Sequence, residues 1–355
     1  MKPVIIHISA DYPDPINSNK TRAVFNLVGG TTEFDHIVYS INRVNGLSGM
    51  RFERFDDVHT AIEYKALPKG ILWGRRLKAL ADWILEDIRA RDLKPNIIEA
   101  HKFTVEGVIG MKLSDALDCA FVCDIMGGTD CKLLKQKPDF IRKYRQIAQQ
   151  ADLFFPYAPW SIDPFEKAVG LDREKCSLLP VVTDLDVLTP APEISEPKLV
   201  TVFHFESWKR KNIKNLIAAI KSLRTDHPNI TLDIVGAGTE AQTQIIQNMI
   251  DNAGLGASVS LLGRANNGTL PDIFKNYAAF VLPTLNDTYG QVYAEALFCG
   301  LPVLFSKDTS IDGYFESSDV GYACNPKSVE DIAAGIDHIL THEAALKDDI
   351  ARMQE

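Results

Sequence analysis

Residues 283–304 read PTLNDTYGQVYAEALFCGLPVL. The apolar run AAFVLP ends at Pro283, and Gly300 is the kind of residue that stands just past a helix end. A helix is therefore expected over 290–299, beginning near Tyr289–Gly290, with VLFS (303–306) as the next strand. Within that helix Glu295 sits beside Val292, Ala296 and Cys299. A buried carboxylate needs a partner, and an ionised one only accepts hydrogen bonds. The vicinal diol of a ribose would supply two donors; a glutamate facing solvent fits the same spacing. Asp287, just before the helix, either caps it or accepts hydrogen bonds from sugar hydroxyls. The first N–H groups of the helix, around Thr288, Tyr289, Gly290 and Gln291, carry partial positive charge and suit a diphosphate.

Working outward, strand and helix alternate along the whole chain. In the first half VIIHIS (4–9), NIIEAH (96–101) and AFVCDI (120–125) read as strands. Helices are expected over 21–28, 74–91, 105–116 and 138–150. Apolar strands separated by amphipathic helices argue for a parallel sheet covered on both faces. TPAPEISEP (189–197), with prolines at 190, 192 and 197, reads as a linker. Beyond it LVTVFHF, ITLDIVG, VSLLG and AAFVLP are strands, with helices at 213–224, 240–253 and 290–299 between or after them. The expected fold is α/β: two doubly wound Rossmann-like domains, 1–188 and 198–355, facing each other across a cleft. Ligands in such sheets sit at the carboxyl ends of the strands.

The bulk numbers set limits. At 355 residues the chain is too long for one ordinary core, and 46% hydrophobic with 24% charged residues is a soluble globular composition. A net charge of −9 argues against nucleic acid as a partner. Cysteines at 119, 123, 131, 176, 299 and 324 form no CxxC pair and no zinc spacing, so buried free thiols and a reducing compartment are expected. The start, MKPVIIHISADYP, has too short an apolar stretch for a signal peptide and reads as a first strand.

Other loops at strand ends carry candidates. In WKRKN (208–212), Lys209, Arg210 and Lys211 precede a helix, where cations are unfavourable unless an anion binds; a solvated basic loop is the plain alternative. VGAGTE (235–240) offers Gly236 for a phosphate, though a tight turn explains it as well. LLGRANN (261–267), with Arg264, could face a planar base. GILWGRRLKALADWIL (70–85) mixes Trp73, Leu77, Leu80 and Trp83 with Arg75, Arg76 and Lys78, which suits either an anionic membrane or a core-facing helix with a basic edge.

The order VGAGTE, LLGRANNGTLPDIFKNYAAFVLP and NDTYGQVYAEALFCGLPVLFS resembles the carboxyl-terminal half of retaining glycosyltransferases of family 4, which have the GT-B architecture. The resemblance implies that Glu295 holds the donor ribose. It places Asp287 on the first acid of the family's pair, usually Glu, which contacts the donor sugar, and Lys211 on the lysine that neutralises the diphosphate. The family's arginine a few residues earlier has no counterpart: His204 and Glu206 stand there, with Lys209 and Arg210 nearby. In the first half, a lone histidine at a strand end such as His101 of NIIEAHKF is more often structural, but the resemblance implies that it reaches sugar and phosphate. Asp130 of MGGTD is a turn residue on the plain reading and is implied to orient the acceptor or a neighbouring side chain; Lys20 and Thr21, where a helix begins, could meet phosphate or acceptor. Many members have a closing helix that crosses back onto the first domain; no segment before DDIARMQE reads clearly as one.

The reaction so implied is a hexosyl transfer, with retention, from a nucleoside diphosphate sugar to a hydroxyl of a glycan or lipid-linked glycan. It would need no metal and no cofactor beyond the donor, and would serve polysaccharide biosynthesis in the cytoplasm or on the inner membrane face. The alternatives are a binding subunit of the same fold that has lost turnover, and a GT-B epimerase or phosphorylase.

Overall fold

The structure, a computed structural model, describes residues 2–18, 20–183, 196–265, 267–315 and 319–354; the expected linker lies outside these apart from Glu196 and Pro197. The chain divides into two compact units, 1–182 and 183–355.

In the first unit the order is β1 (Val4–Ser9), α1 (Ala23–Gly30), β2 (Asp35–Asn45), β3 (Met50–Arg54), β4 (His59–Ala66), α2 (Trp73–Ala90), β5 (Ile97–Ala100) and α3 (Glu106–Leu117). Then follow β6 (Ala120–Ile125), α4 (Gly128–Gln136), α5 (Ile141–Gln150), β7 (Leu153–Pro156) and α6 (Ile162–Val169). The sheet runs β3-β4-β2-β1-β5-β6-β7, parallel except for β3, which pairs antiparallel with β4 at the edge. The segment 35–66 supplies three of these strands, and MGGTD runs into the start of α4.

Both faces of this sheet are buried, but its strands are apolar on one face only. Side chains alternate along a strand. One face carries Ile6, Ile8, Tyr39, Ile98, Ala100, Phe121 and Cys123, which pack with Leu77, Ile84, Ile109, Tyr144 and Ile147 of the helices. Each large aliphatic so buried contributes about 1.5–3 kcal/mol. The other face carries His7, Ser9, Ser40, Asn42, Glu99, His101 and Asp124, all buried. On α2 the turns holding Trp73, Leu77 and Leu80 face the apolar core, and Trp83 is partly buried against Phe52. The helix therefore spends its apolar stripe on the core rather than on a membrane. No helix among the described residues is long and apolar enough to cross a membrane.

The second unit contains β8 (Lys198–Val202), α7 (Ile213–Leu223), β9 (Thr231–Val235), α8 (Glu240–Ala253), β10 (Val259–Gly263), α9 (Leu270–Phe274) and β11 (Ala279–Val281). It continues with α10 (Gln291–Phe298), β12 (Val303–Ser306), β13 (Gly321–Cys324), α11 (Val329–Thr341) and α12 (Glu343–Gln354). All pairings in its sheet, β10-β9-β8-β11-β12-β13, are parallel. The chain builds outward from β8 to β10, then restarts beside β8 at β11 and builds the other way. The reversal lies between β8 and β11, and the carboxyl ends of strands at such a reversal are where ligands of these sheets usually sit. All six cysteines are free, with Cys123, Cys299 and Cys324 buried.

Gly236 follows β9, where a Cβ would stand 2.0 Å from the Phe203 carbonyl oxygen. Gly236→Ala should therefore push β8 and β9 apart at that end and lower stability by about 1–3 kcal/mol in chemical denaturation. A variant as stable as wild type would contradict this packing.

Candidate functional site

The loops that leave β8 and β11 meet. The Arg210 carbonyl accepts from Leu285 N at 2.8 Å and Thr284 Oγ1 at 3.1 Å. Asn212, buried and in the left-handed region at φ 60°, donates from its side chain to the Pro283 and Pro326 carbonyls and starts α7. These ties bring the basic loop onto the acidic one. Lys211 Nζ lies 2.5 Å from Asp287 Oδ2, and Arg210 Nη1 donates to Asp287 Oδ1 and to the Asn286 carbonyl. Thr309 Oγ1 holds the Asp287 backbone on both sides, accepting from its N–H at 2.9 Å and donating to its carbonyl at 2.8 Å.

Asp287 is thus no helix cap. Gly290, at φ 78°, precedes α10, and no side chain caps that end. A Cβ on Gly290 would lie 2.6 Å from the Tyr293 ring, so the close approach of loop and helix requires glycine. Lys211 is 9% exposed; burial lowers its pKa, and the Asp287 carboxylate opposes that shift. One carboxylate faces two cations, leaving one positive charge in excess beside an uncapped helix start. Glu295 lies in the second turn of α10, 9% exposed.

The remaining expectations divide. Lys209 is exposed, its ammonium over the Trp208 ring, and Arg264 is exposed in the loop after β10. Thr288 and Gln291 are half-buried at the start of α10. Tyr289 turns its ring inward, edge-on to Tyr314 at 5.5 Å, which leaves its backbone rather than its ring for a ligand.

In the amino-terminal unit three of the expected residues are engaged by neighbours within the unit. His101 is fully buried, with Nδ1 2.7 Å from Asp124 Oδ2 and Nε2 3.0 Å from His7 Nδ1. It belongs to the buried polar face of the sheet. Burial disfavours its charge, yet Asp124 and Glu99 together hold its pKa up, to about 9. Asp130, also fully buried, accepts from Thr104 N and Oγ1 at Oδ1 and from Phe103 N and Met126 N at Oδ2, tying together the loops after β5 and β6. It orients the Thr104 side chain, one of the two roles expected of it. Lys20 Nζ is taken up by Asp14 Oδ2 at 2.7 Å and Ser40 Oγ at 2.8 Å, its side chain 6% exposed.

Sequence reasoning also missed a residue that shapes this unit. Glu106, in the first turn of α3, accepts from Ala10 N at 2.8 Å through Oε1, while its buried Oε2 has no hydrogen-bond partner among the described residues. Burial raises its pKa to about 7. Its only sequence signal is an acid followed directly by an apolar helical run.

Comparison with known proteins sets these features in context. Residues 190–354 match the family model described as Glycosyl transferases group 1. Glycogen synthase of Mycobacterium tuberculosis is 30% identical over 135 residues, which is 38% of this chain and 32% of that protein. The chain thus spans about a third of the length of the first curated relatives it matches. The putative teichuronic acid biosynthesis glycosyltransferase TuaC of Bacillus subtilis is 22% identical over 298 residues, 81% of this chain and 72% of that protein. Among solved structures, Anabaena HepE in complex with UDP aligns with a TM-score of 0.70 at 14% identity, covering all of this chain and 94% of that one. Sucrose-phosphate synthase of Thermosynechococcus elongatus gives 0.69 at 18% identity, covering 99% and 93%.

Two outcomes are expected from this geometry. Asp287→Asn removes the partner of a buried lysine and should lower stability by about 3 kcal/mol, yet raise the affinity for inorganic pyrophosphate in low-salt calorimetry. A loss of pyrophosphate affinity would mean that Asp287 does not compete for these cations. For Glu106 the folded pKa lies above the ordinary 4.5, so its contribution to stability is full below about pH 4.5 and fades as pH rises through about 7. Urea denaturation should show Glu106→Gln gaining on wild type by roughly 3 kcal/mol between pH 4 and pH 8. A pH-independent difference would contradict the buried carboxyl.

Taken together, residues 190–354 carry the glycosyl transferases group 1 pattern, in a chain whose fold is that of GT-B structures.

Proposed function

We propose that this chain is a retaining glycosyltransferase that takes a hexosyl group from a nucleoside diphosphate sugar and passes it to a hydroxyl of a glycan or lipid-linked glycan. The observation that carries this reading is the excess positive charge of Arg210 and Lys211 over Asp287, at the reversal of the sheet and beside the uncapped start of α10. Bond breaking moves negative charge onto the departing diphosphate. Fixed cations and helix N–H groups aimed there stabilise the transition state more than the ground state, with no metal required. Glu295, in the second turn of the same helix, is the group for the ribose diol. Uridine is the favoured base, because HepE is a structural neighbour solved with UDP. Retention follows from the family resemblance, with the leaving phosphate taking the acceptor proton on the same face. Six free thiols suit a reducing compartment such as the cytoplasm.

One observation favours the rival reading of a binding subunit without turnover. Both carboxylate oxygens of Asp287 already accept from cations, so a donor sugar hydroxyl would have to displace one of them.

Release of UDP from a panel of UDP-hexoses, with and without short glycan acceptors, separates the two readings: turnover supports the transferase, and tight UDP binding without turnover of any donor supports the subunit. Lys211→Ala should weaken UDP binding about tenfold or more in calorimetry. Undiminished binding by that variant would remove the basis of both.

A further inference from the structure

The polar face of the amino-terminal sheet holds an arrangement that does not depend on glycosyl transfer. β1 and β5 flank the point where that sheet reverses, and His7 pairs with Glu99 across them. The hydrogen bonds fix the tautomers along a row of rings. His36 Nε2 lies 2.6 Å from the Thr31 carbonyl oxygen, which can only accept, so that nitrogen carries the proton. A neutral His36 then accepts at Nδ1 from His7 Nε2, 2.8 Å away. Neutral His7 is left with a lone pair on Nδ1. At the other end, His101 Nδ1 directs its proton to Asp124 Oδ2 at 2.7 Å. Asp124 and Glu99 also favour a proton on Nε2, and a metal ion there would take that proton's place, with His101 neutral and its Nε2 lone pair on the metal.

These two nitrogens are 3.0 Å apart, and Glu99 Oε2 lies 3.2 Å from His7 Nδ1. One ligand atom from each of the three side chains falls within 4.8 Å of the others, and all three residues are buried. An extra proton on His7 Nδ1 would be shared between His101 Nε2 and Glu99 Oε2 and would set one positive charge against two buried carboxylates. Those carboxylates are Glu99 and Asp124, and Asp124 Oδ1 has no hydrogen-bond partner among the described residues. A dication answers all three lone pairs and brings the sum of charges to zero. Around zinc, with bonds of about 2.0–2.1 Å, tetrahedral ligand atoms stand about 3.3 Å apart, close to the two separations from His7 Nδ1. Each metal-facing ring would be held from behind, His101 by a carboxylate and His7 by a second imidazole, as ligating histidines require.

We propose that His7 Nδ1, Glu99 and His101 Nε2 form a site for a divalent transition-metal ion, zinc before others, that pins β1 to the end of β5. Two imidazoles and one carboxylate favour such an ion over calcium or magnesium, which take oxygen ligands. No spacing motif signals the site, because the ligands come from residues 7, 99 and 101 and meet only through strand pairing.

The test is zinc titration of the purified full chain against a competing chromogenic chelator. His338 and His342, neighbouring rings one helical turn apart near the end of α11, are a natural surface pair for zinc. The reference protein is therefore the double variant His338→Ala, His342→Ala. It should bind one equivalent tighter than about 1 μM and melt at a higher temperature with zinc than after chelation. Glu99→Gln and His7→Gln, made in that background, should lose about 100-fold or more in affinity. If those variants do not fold, cobalt(II) added to the double variant decides: the intense visible absorption of a four- or five-coordinate site supports the proposal, and the weak spectrum of a hydrated ion overturns it. Failure of the double variant to bind zinc, or binding left intact by Glu99→Gln, also overturns it.

Discussion

One carboxylate organises the carboxyl-terminal unit. Asp287 accepts from Lys211 and Arg210 across loops 76 residues apart in sequence, and Thr309 grips its backbone from the next loop. A lysine as buried as Lys211 would lose its charge without such a partner. The same pair fixes where the loops after β8 and β11 run, and so what lines the carboxyl ends of the strands at the sheet reversal. Because two cations share one anion, the pairing also leaves charge over. The interaction that stabilises the loops thereby prepares them for a phosphate.

Local rules made much of this unit legible. Helix α8 begins and ends where the sequence indicates, because Thr239 and Gln242 close a reciprocal cap at its start and Gly254 takes the left-handed turn at its end. Strand β10 likewise falls on VSLLG. The apolar neighbours of Glu295 did announce a buried carboxylate. The partners of Asp287 could not be read so directly. An acid before a helix is usually a cap, and only the approach of a loop far away in sequence makes this one the anion of a cationic pair.

The amino-terminal unit was less legible, for a different reason. His101 and Asp130 follow strands, where ligand contacts usually arise, but both are fully buried, and Lys20 turns its side chain to Asp14. Asp130 shows why: the backbone N–H groups of Phe103, Thr104 and Met126 need acceptors, and a carboxylate supplies them without another strand. The alternation HIS, EAH and CDI in three strands was the available signal of a sheet with one polar inner face. Charges and imidazoles so deep must answer one another, which is why this face, rather than the apolar one, holds the candidate metal ligands.

The central claim is that the loops after β8 and β11, with the start of α10, receive a diphosphate. The most direct measurement is a crystal structure of the protein with bound uridine diphosphate. The account predicts the β-phosphate within about 3 Å of Lys211 Nζ and of the first N–H groups of α10, and the ribose hydroxyls on Glu295. Nucleotide bound elsewhere on the chain, with Lys211 still turned only to Asp287, would contradict it.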